Sequence, residues 1–178
     1  MRHFALTAVG RDRPGIVAGI TAVLLAHDVN VEDSQMTILR GHFTMMLIVA
    51  VADDLDEGDL AADLKAVGEA LDLELLTISS VEELSASADA EASHIVSVYG
   101  ADHPGIVHAV SSALAERGIT ITDLNTRLVG EADQPLYALM MEVAMPEDAE
   151  ADVIQALAAA GEAQGLEVTV RPLEADAL

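Results

Sequence analysis

Gly10-Arg11-Asp12-Arg13-Pro14-Gly15-Ile16-Val17 recurs as Gly100-Ala101-Asp102-His103-Pro104-Gly105-Ile106-Val107, an offset of 90 residues. The same offset holds without a gap from Phe4/His94 to Ile38/Leu128, with Leu24/Leu114 and Asp33/Asp123 identical and Ile20/Val110, Val29/Ile119 and Val31/Ile121 conservative. The match resumes at Phe43/Tyr137 with an offset of 94 and continues through Met46/Met140 and Val49/Val143. The second copy therefore carries four extra residues near Glu131-Ala132-Asp133-Gln134-Pro135, at an expected hairpin tip. Two copies are too few for a solenoid and make two small domains.

Each copy reads as six elements. Phe4–Val9 and His94–Tyr99 are short apolar runs that predict strands. Asp12 and Asp102 are placed to cap the helix that follows, with Pro14 and Pro104 in its first turn. Ile16, Ile20 and Leu24 recur every four residues and line one helix face. Val29–Leu39 and Phe43–Val51 are β-rich segments divided by Arg40-Gly41, which predicts a hairpin. The acidic run from Asp53 to Asp59 suits a helix N-terminus, and Leu60, Leu64, Val67 and Leu71 then line a second helix. Leu73–Val81 closes the copy as a strand. In the second copy Leu166, Val168 and Val170 alternate with Glu167, Thr169 and Arg171 in the pattern of a half-buried strand. The order is βαββαβ twice. The expected fold is α+β, two ferredoxin-like domains, each an antiparallel four-stranded sheet with both helices on one face. The expected boundaries are 1–82 for the first domain, 83–92 for a linker rich in Ala, Ser and acids, and 93–174 for the second. Ten linker residues reach at most about 33 Å, enough for the two sheets to lie side by side. Because exposed sheet edges are a liability, the domains are expected to pair edge to edge or back to back, within the chain or across a dimer.

Charge narrows the function. The 178 residues hold 8 Lys plus Arg against 31 Asp plus Glu, a formal net charge of −23, with Lys65 the only lysine. A DNA or RNA surface needs clustered cations, so direct nucleic-acid binding is not expected. An anionic membrane surface is disfavoured for the same reason. Apolar residues make up 52% of the chain, which is enough for packed cores despite the acidity. The absence of cysteine excludes disulfides, thiolate nucleophiles and Cys-ligated metals. No apolar run reaches membrane-spanning length and the first residues lack a signal-peptide core, so a cytoplasmic protein is expected. The six histidines form no metal-binding spacing, and no Walker, Gly-x-Ser-x-Gly or Gly-x-Gly-x-x-Gly motif occurs. No catalytic residue, metal or cofactor is nominated, and an enzyme is not expected.

The repeated Asp-x-Pro-Gly-Ile-Val supports two readings. One is local: Asp caps, Pro starts the helix and Gly relieves crowding. The other is a ligand site built from the same atoms. Free N–H groups and the positive end of a helix dipole attract a carboxylate. Gly15 and Gly105 let a ligand approach the backbone, and Asp12 or Asp102 can hold an ammonium group. A free amino acid carries both charges. Asn30, at the start of the next strand, is expected to return close to Asp12 and add neutral hydrogen bonds.

These residues carry a resemblance. The chain resembles tandem ACT-domain proteins, small-molecule-sensing βαββαβ modules of amino-acid metabolism. Asp12 to Val17, then Asn30-Val31-Glu32-Asp33-Ser34, then Gly41-His42-Phe43-Thr44 resemble the first domain of the glycine cleavage system transcriptional repressor family. The resemblance implies a regulatory protein that binds an amino-acid effector by the first strand–helix loop, at the interface between paired domains. It acts there through a protein partner, either a transcription regulator or an enzyme. The implied ligand-binding residues are Asp12, Arg13, Pro14, Gly15, Ile16 and Asn30 in the first copy. In the second they are Asp102, Gly105, Ile106 and Thr120, where Thr120 replaces Asn30. A homodimer is compatible with this reading. The alternatives are a ligand-free interaction module and a regulatory subunit of a metabolic enzyme.

Overall fold

A computed structural model describes residues 1–81, 91–129 and 136–173. The chain divides into two compact units, Met1–Ala86 and Ser87–Leu178. The first runs β1 (Arg2–Arg11), α1 (Ile16–Ala26), β2 (Asn30–Leu39), β3 (His42–Val51), α2 (Glu57–Ala70) and β4 (Leu73–Val81). The second runs β5 (His94–Ala101), α3 (Ile106–Ala115), β6 (Thr120–Val129), β7 (Leu136–Ala144), a 3₁₀ turn (Glu147–Ala149), α4 (Glu150–Gln164) and β8 (Glu167–Pro172). Both are βαββαβ units. The antiparallel sheets have the order β2-β3-β1-β4 and β6-β7-β5-β8. Most of the residues expected for the linker, and the expected hairpin tip at 131–135, lie outside the described residues.

Each sheet buries one face under its helices. Phe4, Leu6 and Ala8 of β1 alternate with half-buried neighbours and meet Phe43, Met45, Leu47, Val49 and Val51 of β3 in one core. Ile16, Ile20 and Leu24 of α1 and Leu60 and Leu64 of α2 close it from above, as the four-residue spacing predicts. In the second unit Val96, Val98, Leu139 and Met141 meet Ile106, Val110, Leu114, Val153 and Leu157. Apart from Phe4 and Phe43 in the first core, the buried residues of both are aliphatic side chains and methionine.

Local chemistry sets the element ends. Arg40 and Gly41 both have positive φ, 51° and 83°, the conformation of a two-residue type I′ hairpin. Asp56 caps α2 by accepting from the Gly58 and Asp59 N–H groups at 2.8 and 3.4 Å, and acids fill the first turn. The caps expected from Asp12 and Asp102 are not formed. The helices begin at Ile16 and Ile106, their caps are Gly15 and Gly105, and no described side chain caps either one. Pro14 and Pro104 lie before the helices rather than in their first turns. The physical reason is the backbone: Gly15 at φ 98° and Gly105 at φ 102° turn left-handed, which inserts a turn between the aspartate and the helix.

Two helical glycines mark where helix and sheet approach most closely. A Cβ on Gly161 of α4 would lie 2.5 Å from Val168 Cγ2 and 3.0 Å from the Leu166 carbonyl oxygen. On Gly68 of α2 its nearest neighbours are the Leu76 side-chain carbons at 3.3 Å. Alanine gains about 1 kcal/mol of helix propensity over glycine, while overpacking costs about 1–3 kcal/mol. Chemical denaturation should therefore show Gly68→Ala near neutral, because a leucine side chain gives way. Gly161→Ala should be destabilised by about 1–2 kcal/mol, because a backbone carbonyl does not yield as easily.

Candidate functional site

The strand-to-helix loop of each unit gathers most of the residues that the sequence nominates. In the first unit, Asp12 follows the end of β1. Its N–H donates to the Gly41 carbonyl at 2.9 Å, which ties the loop to the β2–β3 turn. Its side chain is exposed and accepts no hydrogen bond among the described residues. Gly15 follows, with nothing within 4 Å of a Cβ built on it. Its carbonyl accepts the Gly19 N–H at 2.8 Å, the first helical bond of α1. Ile16 plugs into the core at 2% exposure, which fixes the first turn in place.

The loop therefore presents an open surface over the start of α1. The first N–H groups of a helix have no partner inside it. Among the described residues no side chain caps α1 and no acid lies in its first turn to occupy the positive end of the dipole, while the Asp12 carboxylate stands on the strand side of the loop. This pairing suits a zwitterion, with its carboxylate toward the helix and its ammonium toward Asp12. The second unit repeats the backbone: Gly105 has the same left-handed geometry and the same open space, and its carbonyl accepts the Ala109 N–H at 2.9 Å.

Arg13 takes a different position from its neighbours. It turns away from the helix start and donates from Nη2 to the Ala70 carbonyl at 2.9 Å, at the C-terminal end of α2. His103 occupies the matching place in the second unit, with Nε2 3.1 Å from the Gln164 carbonyl oxygen. Both residues latch the loop to the last turn of the second helix, where carbonyls lack helical partners.

Asn30 and Thr120 are not brought to these loops. Asn30 pairs with Ala50, itself opposite His3, whereas Asp12 follows Arg11, which pairs with His42. From position 42 to position 50 the sheet extends roughly 26 Å. Thr120 pairs with Ala144, and Ala101, next to Asp102, pairs with Leu136; the separation is the same. The crossover helix carries the chain back to where the first strand began, so the following strand starts at the opposite end of the sheet. The expected return of Asn30 to Asp12 is corrected accordingly.

Sequence reasoning missed Gly10 as a site residue. A Cβ there would lie 2.9 Å from Leu73 Cδ2 and 3.1 Å from Leu73 Cα, at an irregularity in the β1–β4 register between Val9 and Gly10. Gly10 thus lets β4 pass close beneath the loop. Its recurrence as Gly100 was the available signal.

Comparison with known proteins supports the architecture. The ACT domain family model matches residues 2–77 and 94–171. The UPF0237 protein of Methanopyrus kandleri is 40% identical over 77 residues, 43% of this chain and 86% of its own length. That of Streptococcus mutans is 36% identical over 75 residues, covering 42% and 85%. Each relative is thus about one repeat long. Among solved structures, an unknown protein from Galdieria sulphuraria is 28% identical with a TM-score of 0.77, covering 97% of this chain and 99% of its own. A provisionally assigned glycine cleavage system transcriptional repressor is 18% identical with a TM-score of 0.70, covering 97% and 98%, a likeness of fold.

Proposed function

The chain belongs to the ACT domain family, with one domain in each half, and on that premise we propose that it is an amino-acid sensor that regulates a protein partner. ACT domains are small-molecule-binding regulatory modules. The observation that carries the reading is the left-handed Gly15, which leaves the first turn of α1 uncapped and open beside the free carboxylate of Asp12. The effector's carboxylate sits against the N–H groups at Gly15 and Ile16, and its ammonium sits against Asp12. Pro14 rigidifies the loop, and Arg13 holds it to α2 through the Ala70 carbonyl. Asn30 reaches this ligand only from a second ACT module whose β2 edge lies alongside. The loop of Asp102, Gly105 and Ile106, with Thr120 in place of Asn30, is the weaker site.

Binding changes function by population shift: a ligand favours the packing with which it makes more contacts, and the partner reads that packing. The first-domain motifs resemble the glycine cleavage repressor family, so the partner is a transcription regulator or an enzyme of glycine and one-carbon metabolism. The charge of −23 opposes direct contact with DNA. A second reading, a ligand-free interaction module, draws on β2, an edge strand exposed along its length with Met36, Ile38 and Leu39 accessible.

A thermal-shift screen of the twenty amino acids separates the two. A ligand present at 100 times its dissociation constant adds about 2.7 kcal/mol. At least one amino acid should raise the melting temperature by several degrees, and a flat screen at millimolar concentration would favour the interaction module.

A further inference from the structure

The helix-free face of the second sheet carries a charge pattern that the first sheet lacks. Strand register sets its side chains in rows across the face. One row runs Asp123, Glu142, Ile95, Arg171 from β6 to β8. The next runs Asn125, Met140, Ser97, Thr169, and the third Arg127, Ala138, Tyr99, Glu167. The outer rows are charged in opposite senses. The first is acidic on the β6 side and basic at β8; the third is basic at β6 and acidic at β8. A neutral row lies between them. In the first unit the rows equivalent to these outer two are Asp33, Ile48, Ala5, Ser79 and Thr37, Thr44, Val9, Leu75, with a single charge.

Among the described residues these charges are left almost without partners. Arg127, Arg171, Glu142 and Glu167 form no ion pair among the described residues, and Asp123 accepts only from Asn125, at 2.6 Å. Two of the chain's 8 basic residues stand here in a protein with 31 acids. The centre of the face is a concavity of about 660 Å³ over Ile95, Ser97 and Thr169. Tyr99 and Met140 stand in it at 39% and 48% exposure.

We propose that this face docks against the same face of a second copy of the chain, across a twofold axis parallel to the strands. That rotation exchanges β6 with β8 and β7 with β5 and leaves the order of the rows unchanged. Arg171 then faces the partner's Asp123, Glu167 faces the partner's Arg127, and Tyr99 meets the partner's Ala138. Sheets stacked face to face lie about 10 Å apart, a gap that Arg and Glu side chains bridge while Tyr99 and Met140 interdigitate. Self-complementarity under a twofold axis is what an isologous dimer requires, and a heterologous partner gives no reason for it. Tyr, Met and Arg are also the residue types enriched at interfaces.

Sedimentation of the full chain tests this by charge exchange. Wild type should be a dimer that weakens with added salt. Arg127→Glu sets an acid against the partner's Glu167 twice per dimer and should raise the dissociation constant about tenfold or more. Adding Glu167→Arg restores opposite charges and should restore the dimer. Both positions are solvent-exposed, and circular dichroism confirms that each variant is folded. A monomeric wild type at high micromolar concentration would overturn the proposal, leaving the face to some other protein. So would a dimer indifferent to Arg127→Glu, which must use another surface, or a double variant that stays monomeric.

Discussion

Gly15→Val is expected to abolish amino-acid binding, while Gly105→Val leaves most of it in place. The two substitutions are closely matched in their structural cost. Gly15 has φ 98° and ψ −9°, Gly105 has φ 102° and ψ −10°, and neither has an atom within 4 Å of an added Cβ. A β-branched residue in that conformation is strained by about 1–3 kcal/mol, so both variants should melt several degrees lower, by similar amounts. The loss of affinity should differ, because only at Gly15 does the new side chain fill the space that the ligand occupies. Calorimetric titration at a temperature where both variants are folded makes the comparison. The opposite ranking would place the site in the second unit, and equal loss in both would show that strain, not obstruction, removed binding.

Asp12→Asn keeps the side chain's shape and removes its charge. Asp12 is exposed and caps nothing, so stability should change by less than about 0.5 kcal/mol. Affinity should fall by about ten- to a hundredfold, because a charge-assisted hydrogen bond to an ammonium contributes about 1.5–3 kcal/mol. A ligand without the ammonium, the corresponding carboxylic acid, should bind wild type and Asp12→Asn almost equally. If both ligands lose the same affinity on substitution, Asp12 shapes the loop and does not pair with the ammonium. Gly15→Val and Asp12→Asn together thus probe the two ends of the zwitterion.

Much of the fold was legible because local and long-range signals agree. Ile16, Ile20 and Leu24 share a face at helical spacing, Arg40-Gly41 separates two β-rich segments, and the acidic run from Asp53 to Asp59 stands before a helix. The repeat supports the helix reading in a second context, where Ile106, Val110 and Leu114 are buried at the same spacing. The misread parts are those where backbone conformation or chain direction intervenes. Asp-x-Pro-Gly reads as cap, spacer and first turn under local rules. The left-handed glycine changes that assignment, and its φ is invisible in residue types. Asn30 was misplaced because a crossover to a parallel strand starts that strand at the end of the sheet where the first began, not at the end it left. Gly10, Gly68 and Gly161 matter only through Leu73, Leu76, Val168 and the Leu166 carbonyl, contacts that exist once the second helix and last strand have packed. The open charge pattern of the second sheet likewise depends on register across four strands.

The central claim is that an amino acid binds at the start of α1. Its most direct test is an amide-resolved NMR titration of the full, isotope-labelled chain with each candidate amino acid. The predicted result is saturable shifts centred on the amides of Gly15, Ile16 and Val17, with smaller shifts at Asp12 and Gly41. Saturable shifts confined to other elements, or none at millimolar ligand, would contradict it.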